Sequence, residues 1–475
     1  MVKRLCYKTL RHSRGFCVIE DSTRQSVLFP DLFSKPLLTR FDELHGSSDG
    51  GAILLKGCDA TLGLSRRLTA ALADRRQAGK VEHTVRDLLR QRIFGFACGY
   101  ADGNDAARIG ADPIHRLLLD RDALTGAMLA SQPTLSRFEN APRRSDLYRM
   151  GVALAECVIE RHRRRLGRRC KHLTIDLDPT DDPTHGAQQL TFFNGHYDSW
   201  CYLPVAGFVT FNHEPEQYLL AYVLRPGNAP ATRGAIGILS RLLERLRAAF
   251  PRARVLVRLD GGFAAGELFD FLEAEGCDYV VAMAKNQRLA RRAARLMGTA
   301  RRLSRRRGRT AHVYGQTHYA ARRWSRKRRV IIKAEVTCHP GREPKMNPRF
   351  VVTNLKANPR RLYEKVYCAR AHIENRIKEL HHGLQIDRTS CPRFLANQLR
   401  VLLTAAAYVL MQELRRRAAG TGLARAQVST LRERLLKLGA RIERSVRRIV
   451  VHLPSTAAYQ HEWRRIALAV GAVPA

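Results

Sequence analysis

Acidic residues are scarce in this chain. Its 475 residues contain 43 Asp and Glu against 83 Lys and Arg, so the formal net charge is +40. A charge imbalance of this size indicates a polyanionic partner, most often nucleic acid. The alternatives are a solvated basic surface and a coding bias toward arginine.

Paired cysteines are also lacking. The 11 cysteines are odd in number and scattered, and no two of them stand at the CxxC spacing. This pattern argues against a disulfide framework and against a zinc site. Free thiols are typical of a reducing cytosol, so we expect a cytoplasmic protein.

Long apolar runs are missing too. The longest, AAAYVLM at 405–411, is too short to cross a bilayer. The opening MVKRLCYKTLRHSRG is basic, but no apolar run follows it, so we expect no signal peptide. We therefore expect no membrane partner, and the length predicts two to four domains of roughly 100–200 residues each.

Residues 1–150 have a mainly helical pattern. VRDLLRQRIFGFACGY at 85–100 has apolar residues at helical spacing, and the turn residues DGND end it. SQPTLSRFEN begins with Ser131 as a helix cap and carries Pro133 in the first turn. Short helices joined by tight turns in a basic chain predict a DNA-binding region with Arg137 among its contacts. Plain helix packing is the alternative.

A mixed α/β pattern begins at residue 168. Three strands, a helix, a strand, a helix and a strand predict one mixed layer. Residues 285–333 then hold eighteen Lys or Arg and no Asp or Glu, and RRLSRRRGRT within them predicts a loop. A core-like strand and two long helices follow, at 362–384 and 394–417. The predicted segments after the N-terminal region are a first core part at 168–285 and a basic β-rich segment at 286–348. A second core part at 349–417 and a basic helical C-terminal region at 418–475 follow.

Two aspartates stand where predicted strands end. Asp178 precedes Pro-Thr and Asp260 precedes Gly-Gly. Sites in open α/β sheets gather at such ends, and two facing carboxylates repel each other unless a cation lies between them. Mg²⁺ prefers these oxygen ligands together with phosphate oxygens. Asp176 lies on the same strand face as Asp178, so the pattern leaves open which of them binds metal, and a turn role for either is the alternative.

A third carboxylate lies on the predicted 362–384 helix. Tyr367, Arg370, Glu374, Lys378 and His381 follow offsets that place them on one stripe at roughly 100° per residue. An acid with cationic and aromatic neighbours is unusual for a core stripe and suggests a site. A ladder of ion pairs on a solvated helix is the alternative.

Together these motifs resemble the DDE transposases of bacterial insertion sequences, group 1 type. The resemblance lies in TIDLDPTDDPTHGAQ, in RLDGGF followed by YVVAMAKN, and in the Tyr-x2-Arg-x3-Glu signature at 367–374. LLRQRIFGFACGYADGNDA and LASQPTLSRFEN are similar as well, so the likeness covers roughly residues 20–460. It implies an α/β fold: an RNase H-like catalytic core with a β-rich basic insertion, a mostly helical N-terminal DNA-binding region and a helical C-terminal region.

The resemblance also implies site residues. Asp178, Asp260 and Glu374 would hold two Mg²⁺ ions, for which Mn²⁺ could substitute. Tyr367 and Arg370 would lie near the DNA backbone.

Two further DNA contacts are implied. The family places a lysine seven residues after its glutamate, where this chain has His381, with Lys378 one turn away. Trp324, within ARRWSRKRR, would stack on an extruded base; packing against its own sheet is the alternative.

The implied function is that of a transposase. It would bind the terminal inverted repeats of its element as a homodimer, cut double-stranded DNA at the element ends and join it to target DNA. Two other functions stay open: a metal-dependent nuclease of the same fold without strand transfer, and a non-catalytic DNA-binding relic.

Overall fold

The computed structural model describes residues 26–474, and the chain divides into two compact units between Gly46 and Ser47. The first unit contains an antiparallel pair of short, exposed strands, β1 (Val27–Phe29) and β2 (Leu37–Thr39). A two-residue strand, β3 (Gly46–Ser47), lies at the boundary. Residues 1–25 of the predicted DNA-binding region lie outside the described residues.

The second unit begins with helices. α3 begins at a capping box in which Thr84 and Asp87 bond each other's backbone N–H. Ser131 occupies the N-cap position of α6, as predicted, but its side chain makes no capping hydrogen bond. The seven helices are α1 (Ile53–Leu62), α2 (Leu64–Ala71), α3 (Val85–Cys98), α4 (Asp105–Ile109), α5 (Pro113–Leu118), α6 (Gln132–Asn140) and α7 (Arg144–Leu166).

A nine-stranded mixed sheet forms the centre of this unit. Its path is β12-β13-β15-β11-β10-β4-β8-β9, with β14 beside β13, while β5, β7 and β6 form a small separate sheet. The strands are β4 (His172–Pro179), β5 (Asp182–Pro183), β6 (Phe192–Asn194), β7 (Ser199–Tyr202), β8 (Val205–Phe211), β9 (Tyr218–Val223), β10 (Arg254–Leu259), β11 (Asp278–Met283), β12 (Ala311–Tyr319), β13 (Arg328–Thr337), β14 (Lys345–Met346) and β15 (Arg349–Thr353).

Chain order explains the sheet's mixed direction. β4, β8 and β9 are consecutive and antiparallel, whereas β10 and β11 run parallel to β4. α8 (Ala235–Ala249) leads into β10, and α9 (Gly266–Ala274) leads into β11. Parallel neighbours need such crossovers, and the buried leucine and isoleucine side chains of α8 belong to the main hydrophobic core. The predicted mixed α/β layer is confirmed.

The basic segment 286–348 differs from its prediction. The loop predicted for RRLSRRRGRT was wrong, because residues 301–307 belong to a 21-residue helix, α10 (Gln287–Arg307). The buried stripe of α10 consists largely of small residues, so its apolar signal is weak among nine arginines. Strands β12 and β13 do not form a sheet of their own: β13 pairs with β15, and the segment extends the main sheet.

The predicted 362–384 helix is continuous but not uniformly α-helical. Residues 359–383, hereafter the Glu374 helix, keep right-handed helical angles through every junction. π-turns in α-helices are frequent at functional sites. The segments are α11 (Pro359–Arg361), a π-turn (Leu362–Tyr367), a 3₁₀ turn (Cys368–Ala371), α12 (His372–Lys378) and a second π-turn (Glu379–Gly383).

The chain then enters its most buried helix, α13 (Phe394–Arg417). This helix is long and apolar enough to cross a membrane, but 83% of its most apolar window is buried inside the protein. It is therefore a core helix, packed on α3, α7 and β9. The C-terminal region, predicted to be mainly helical, also contains a β-hairpin. Its elements are α14 (Val428–Leu431), β16 (Ala440–Arg444), β17 (Ile449–His452) and α15 (Gln460–Ala469).

Candidate active site

Asp178 and Asp260 lie side by side at one edge of the sheet. β4 and β10 are parallel neighbours, and Arg258 of β10 pairs in register with Asp176 of β4. Two residues further along each strand, the same register brings Asp260 level with Asp178. Asp260 caps the short 3₁₀ turn Gly261–Phe263 by accepting a hydrogen bond of 2.9 Å from the Gly262 N–H. The turn fixes the carboxylate at the carboxyl end of the strand.

The Glu374 helix passes over this edge. Arg370 donates from Nη2 to Asp178 Oδ1 at 2.6 Å, and the same nitrogen is 4.0 Å from Asp260 Oδ2. Glu374, one turn further along the helix, is exposed and near enough to Asp178 to act on its titration. Asp178 and Asp260 are thus brought together with the guanidinium of Arg370 between them, and Glu374 lies within electrostatic range of Asp178.

The Asp178 carboxyl has an unusual acidity. Burial raises its pKa to about 7; Arg370 acts in the opposite direction, and the neighbouring Asp260 and Glu374 raise it further. Arg370 therefore compensates only part of the penalty for charging this group. A second cation would relieve the rest, because opposite charge favours the ionised form.

Asp176 serves a different purpose. Its side chain is fully buried and accepts two hydrogen bonds of 2.7 Å from Arg258 and one of 2.8 Å from Gln217. Arg258 also donates to the carbonyl of Val366 in the Glu374 helix at 3.2 Å. Every oxygen of Asp176 is therefore occupied within the fold. Of the two aspartates that the sequence left open, the geometry favours Asp178 for the site.

The remaining stripe residues take different positions. His381 contacts Asp387 Oδ2 through Nδ1 at 3.1 Å and Thr180 Oγ1 through Nε2 at 3.4 Å. Tyr367 lies partly buried near Asp260, which contributes to raising the pKa of its phenol after the larger effect of burial. Lys378 is exposed. Arg370 thus contacts the end of β4 and His381 the residue just after it, while Glu374 lies within electrostatic range of Asp178.

A buried polar network holds the Glu374 helix in place. Glu379 accepts hydrogen bonds from Arg376 at 2.7 Å, from Tyr408 at 2.8 Å and from Arg415. Tyr408 and Arg415 belong to α13, and Arg415 also bonds Glu216 at 2.7 Å. The network anchors the helix to the core about one turn beyond Glu374.

Two further predicted DNA contacts, Trp324 and Arg137, have side-chain neighbours of their own. Trp324 packs edge-on against Phe269 at 4.9 Å and Tyr319 at 5.6 Å, between ring centroids. These contacts favour the packing alternative over base stacking. Arg137 is exposed on α6, where its Nη2 donates to Thr134 at 3.2 Å.

An aromatic hairpin beside the site was missed from the sequence. β6 and β7 pair Phe193 with Trp200, whose side chains are 52% and 59% exposed. Tyr197, in the connecting turn, has its pKa raised to about 12 by burial and by Asp181, Asp178 and Asp260. Tyr197 therefore lies within electrostatic range of these carboxylates. The Asn194-Gly195 pair, a common hairpin turn signal, could have predicted it.

A second cluster of potential metal ligands lies elsewhere. Among residues 26–474, Asp49, Cys98 and His115 are buried with ligand atoms within 4.8 Å of one another. Asp49 already has a cation, because Lys437 Nζ is 2.7 Å from its Oδ1 and His115 Nε2 is 2.8 Å from its Oδ2. Burial also raises the pKa of the Cys98 thiol, which disfavours the thiolate that binds metal. The cluster is a structural ion-pair network.

One known protein family matches nearly the whole chain. No curated protein matches it. The family described as transposase DDE domain group 1 matches residues 29–474. A match of that extent takes in the sheet, the Glu374 helix and the helices before and after them, and the chain therefore belongs to the transposase DDE domain group 1 family.

Proposed function

We propose that this protein is an active transposase that cuts double-stranded DNA at the ends of its element and joins it to a target. Asp178, Asp260 and Glu374 are proposed to hold two Mg²⁺ ions, with Mn²⁺ as a substitute. Transposases act on DNA, and the net charge of +40 suits that polyanion. We propose a homodimer in the DNA complex, acting in the bacterial cytoplasm near the nucleoid.

One observation carries this proposal. Asp178 and Asp260, more than 80 positions apart in sequence, lie at the carboxyl edge of two parallel strands, and Glu374, more than 110 positions further on, lies within electrostatic range of Asp178. Parallel α/β sheets place ligand sites at that edge. Neighbouring carboxylates repel each other, so their clustering in a basic protein indicates a site for a bound cation.

The residues present fit divalent metal. The donors are carboxylate oxygens, the ligands that Mg²⁺ prefers, and the raised pKa of Asp178 shows that this group still lacks full compensation of its charge. Such ions, when bound, supply Lewis-acid activation of the attacking oxygen and stabilisation of the leaving oxygen.

The fold supports an RNase H-like core. Three antiparallel strands, β4, β8 and β9, are followed by β10 and β11, which run parallel to β4 beyond helical crossovers. An RNase H-like core has this arrangement, and its acids lie at the ends of the first and fourth strands and on a later helix. We propose that β12 to β14 extend that core as an elaboration of its edge.

Each residue of the site has its own proposed role in the reaction. Asp178, with its pKa of about 7, can exchange a proton near neutral pH and binds a cation best when ionised. Arg370 holds Asp178 in place and supplies positive charge beside a phosphate. Tyr367 and Lys378 are proposed to contact the DNA backbone, as are His381 and the exposed Arg137. Trp324 has packing contacts that leave base stacking without structural support.

A joining assay tests the proposal. The purified protein is incubated in Mg²⁺ with labelled duplexes taken from the DNA on either side of its gene, together with a plasmid target. Covalent transfer of label to the plasmid is expected. DNA that is cut but never joined would favour the nuclease alternative, and binding without cutting would favour the non-catalytic relic.

A further inference from the structure

Helix α10 carries an uncompensated charge. Its 21 residues include nine arginines and no acidic residue. None of the nine has a carboxylate oxygen within 4.0 Å among residues 26–474. All nine side chains are exposed. Arginines elsewhere in the fold commonly pair with acids, as Arg163 and Arg164 do with Glu160 on α7.

The arginines concentrate on one face of α10. Arg288, Arg295 and Arg302 recur every seven residues, which is close to two turns, and Arg291 and Arg306 flank the same line. The opposite face is the buried one: Leu289, Ala293, Met297, Ala300 and Ser304 pack toward β12 and β13. The basic face therefore points away from the sheet along the full helix, a length of about 31 Å at 1.5 Å per residue.

A glycine interrupts the middle of that basic face. Gly298 lies between Arg295 and Arg302, although glycine disfavours an α-helix relative to alanine. The fold does not require it: a Cβ at this position would meet only the tip of Arg302, at 3.9 Å. A glycine without an internal reason is suited to the close approach of another molecule's backbone.

The start of α10 lies near the site. Asn286 caps the helix by accepting from the Leu289 N–H at 3.0 Å, three residues after β11 ends at Met283. β11 is the parallel neighbour of β10, at whose end Asp260 lies. A duplex that reaches the carboxylates would therefore pass the first turns of α10.

We propose that the arginine face of α10 binds the sugar-phosphate backbone of duplex DNA, with Gly298 as the point of closest approach. The proposal rests on the proposed DNA-cutting function and adds the surface that holds the substrate. Arg295 and Arg302 contact phosphates on either side of Gly298. The contact does not depend on base sequence, because the phosphates are the same at every base pair.

Paired arginine variants test the charge. The variant Arg295→Gln/Arg302→Gln is compared with Arg163→Gln/Arg164→Gln, which removes two charges that are also exposed but ion-paired. Affinity for a random-sequence duplex of about 30 base pairs is measured by fluorescence anisotropy between about 50 and 200 mM salt. The slope of log K against log salt should fall by about 2 in the first variant, with on the order of tenfold weaker binding, and by much less in the control.

A glycine variant tests the close approach. Gly298→Ala should raise the melting temperature, because alanine favours a helix, and should still weaken DNA binding on the order of tenfold, comparable with one lost charge-assisted contact. Gly237→Ala on α8 is the matched control. There too a Cβ would meet only the tip of an arginine four residues on, Arg241, at 3.9 Å. That control should keep wild-type affinity.

Wild-type affinity and salt slope in both α10 variants would overturn the inference, as would losses confined to a duplex RNA of the same length. A plasmid-nicking assay separates this failure from failure of the proposed function. If the wild-type protein nicks DNA in Mg²⁺ and the α10 variants bind as it does, only the inference fails. If the wild-type protein neither binds nor nicks any duplex, the proposed function fails.

Discussion

At the residue scale, the chemistry of the site depends on how each carboxylate is surrounded. Asp176 and Asp178 are two positions apart on one strand, yet Asp176 is neutralised by Arg258 and Asp178 is not fully compensated. Burial and two neighbouring acids raise the pKa of Asp178 to about 7. The difference between the two residues can be tested by titration.

Removing the Asp178 charge should stabilise the metal-free protein at high pH. The folded pKa of about 7 lies above the ordinary value of 3.8, so charging this group opposes folding increasingly as pH rises from about 4 to 7, and fully above that. In EDTA, Asp178→Asn should therefore melt above the wild type at pH 8, and the gap should shrink toward pH 4. Thermal melts across this range provide the measurement, with the exposed Asp198→Asn as control. A gap that does not vary with pH would contradict the surroundings described for Asp178.

Trp324 should behave as a packing residue. Trp324→Ala removes its contacts with Phe269 and Tyr319 and should cost roughly 3 kcal/mol of unfolding free energy. Trp200→Ala is a control of the same chemistry at a side chain that is 59% exposed. Calorimetric melts should show a drop of several degrees for the first variant and little change for the second. Equal melting temperatures for both would restore the base-stacking hypothesis.

The sequence pointed to the acids of the candidate site but not to the side chains that hold each one, and their role as metal ligands stays a prediction. Strand endings and the Tyr-x2-Arg-x3-Glu spacing were enough to single out Asp178, Asp260 and Glu374. The choice between Asp176 and Asp178 needed Arg258, a partner 82 positions away that no local pattern connects to it. Long-range pairings of this kind are visible only once the strands are in register.

At the element scale, the Glu374 helix depends on its buried polar anchor. Glu379 is 7% exposed and accepts hydrogen bonds from Arg376, Arg415 and Tyr408. Buried charges that lose a partner are strongly destabilising, because the remaining charge stays desolvated.

Breaking this anchor should unfold the protein more readily. Glu379→Ala should lower the free energy of unfolding by about 3–5 kcal/mol, since Arg415 would remain buried without its partner. The control Glu160→Ala on α7 removes a more exposed acid with two arginine partners and should cost at most about 1 kcal/mol. Urea titrations of both variants make the comparison. Similar midpoints would show that the network does not anchor the helix.

The detailed structure of the 362–384 helix and of α10 could not be predicted in full from the sequence. The 362–384 helix was predictable because its stripe is strong, but its two π-turns were not: the first contacts β11 and β13 and the second contacts α13, and no local pattern reveals such neighbours. α10 was partly read as loop because arginines outnumber the small residues that form its buried stripe. The high arginine content of that segment concealed the helical spacing of its buried residues.

At the scale of the whole molecule, metal binding and folding should be coupled. The three acids come from parts of the chain that only the folded sheet brings together, so Mg²⁺ should bind the native state in preference to the unfolded state. Added Mg²⁺ should raise the melting temperature of the wild type, and chelation should reverse the rise. Asp260→Ala should lose most of the effect. An equal shift in that variant would place the metal elsewhere, for example at Asp49, Cys98 and His115.

The central claim is that three converging carboxylates perform the phosphodiester chemistry. Its most direct test is cleavage by Asp178→Ala, Asp260→Ala and Glu374→Ala in Mg²⁺, with duplex binding measured in parallel and Glu364→Gln, an ion-paired acid on the same helix, as control. Each of the three variants should lose cleavage and keep nearly wild-type binding, because affinity comes from phosphate contacts elsewhere, while the control should cut normally. Cleavage at the wild-type rate by Glu374→Ala would contradict the account.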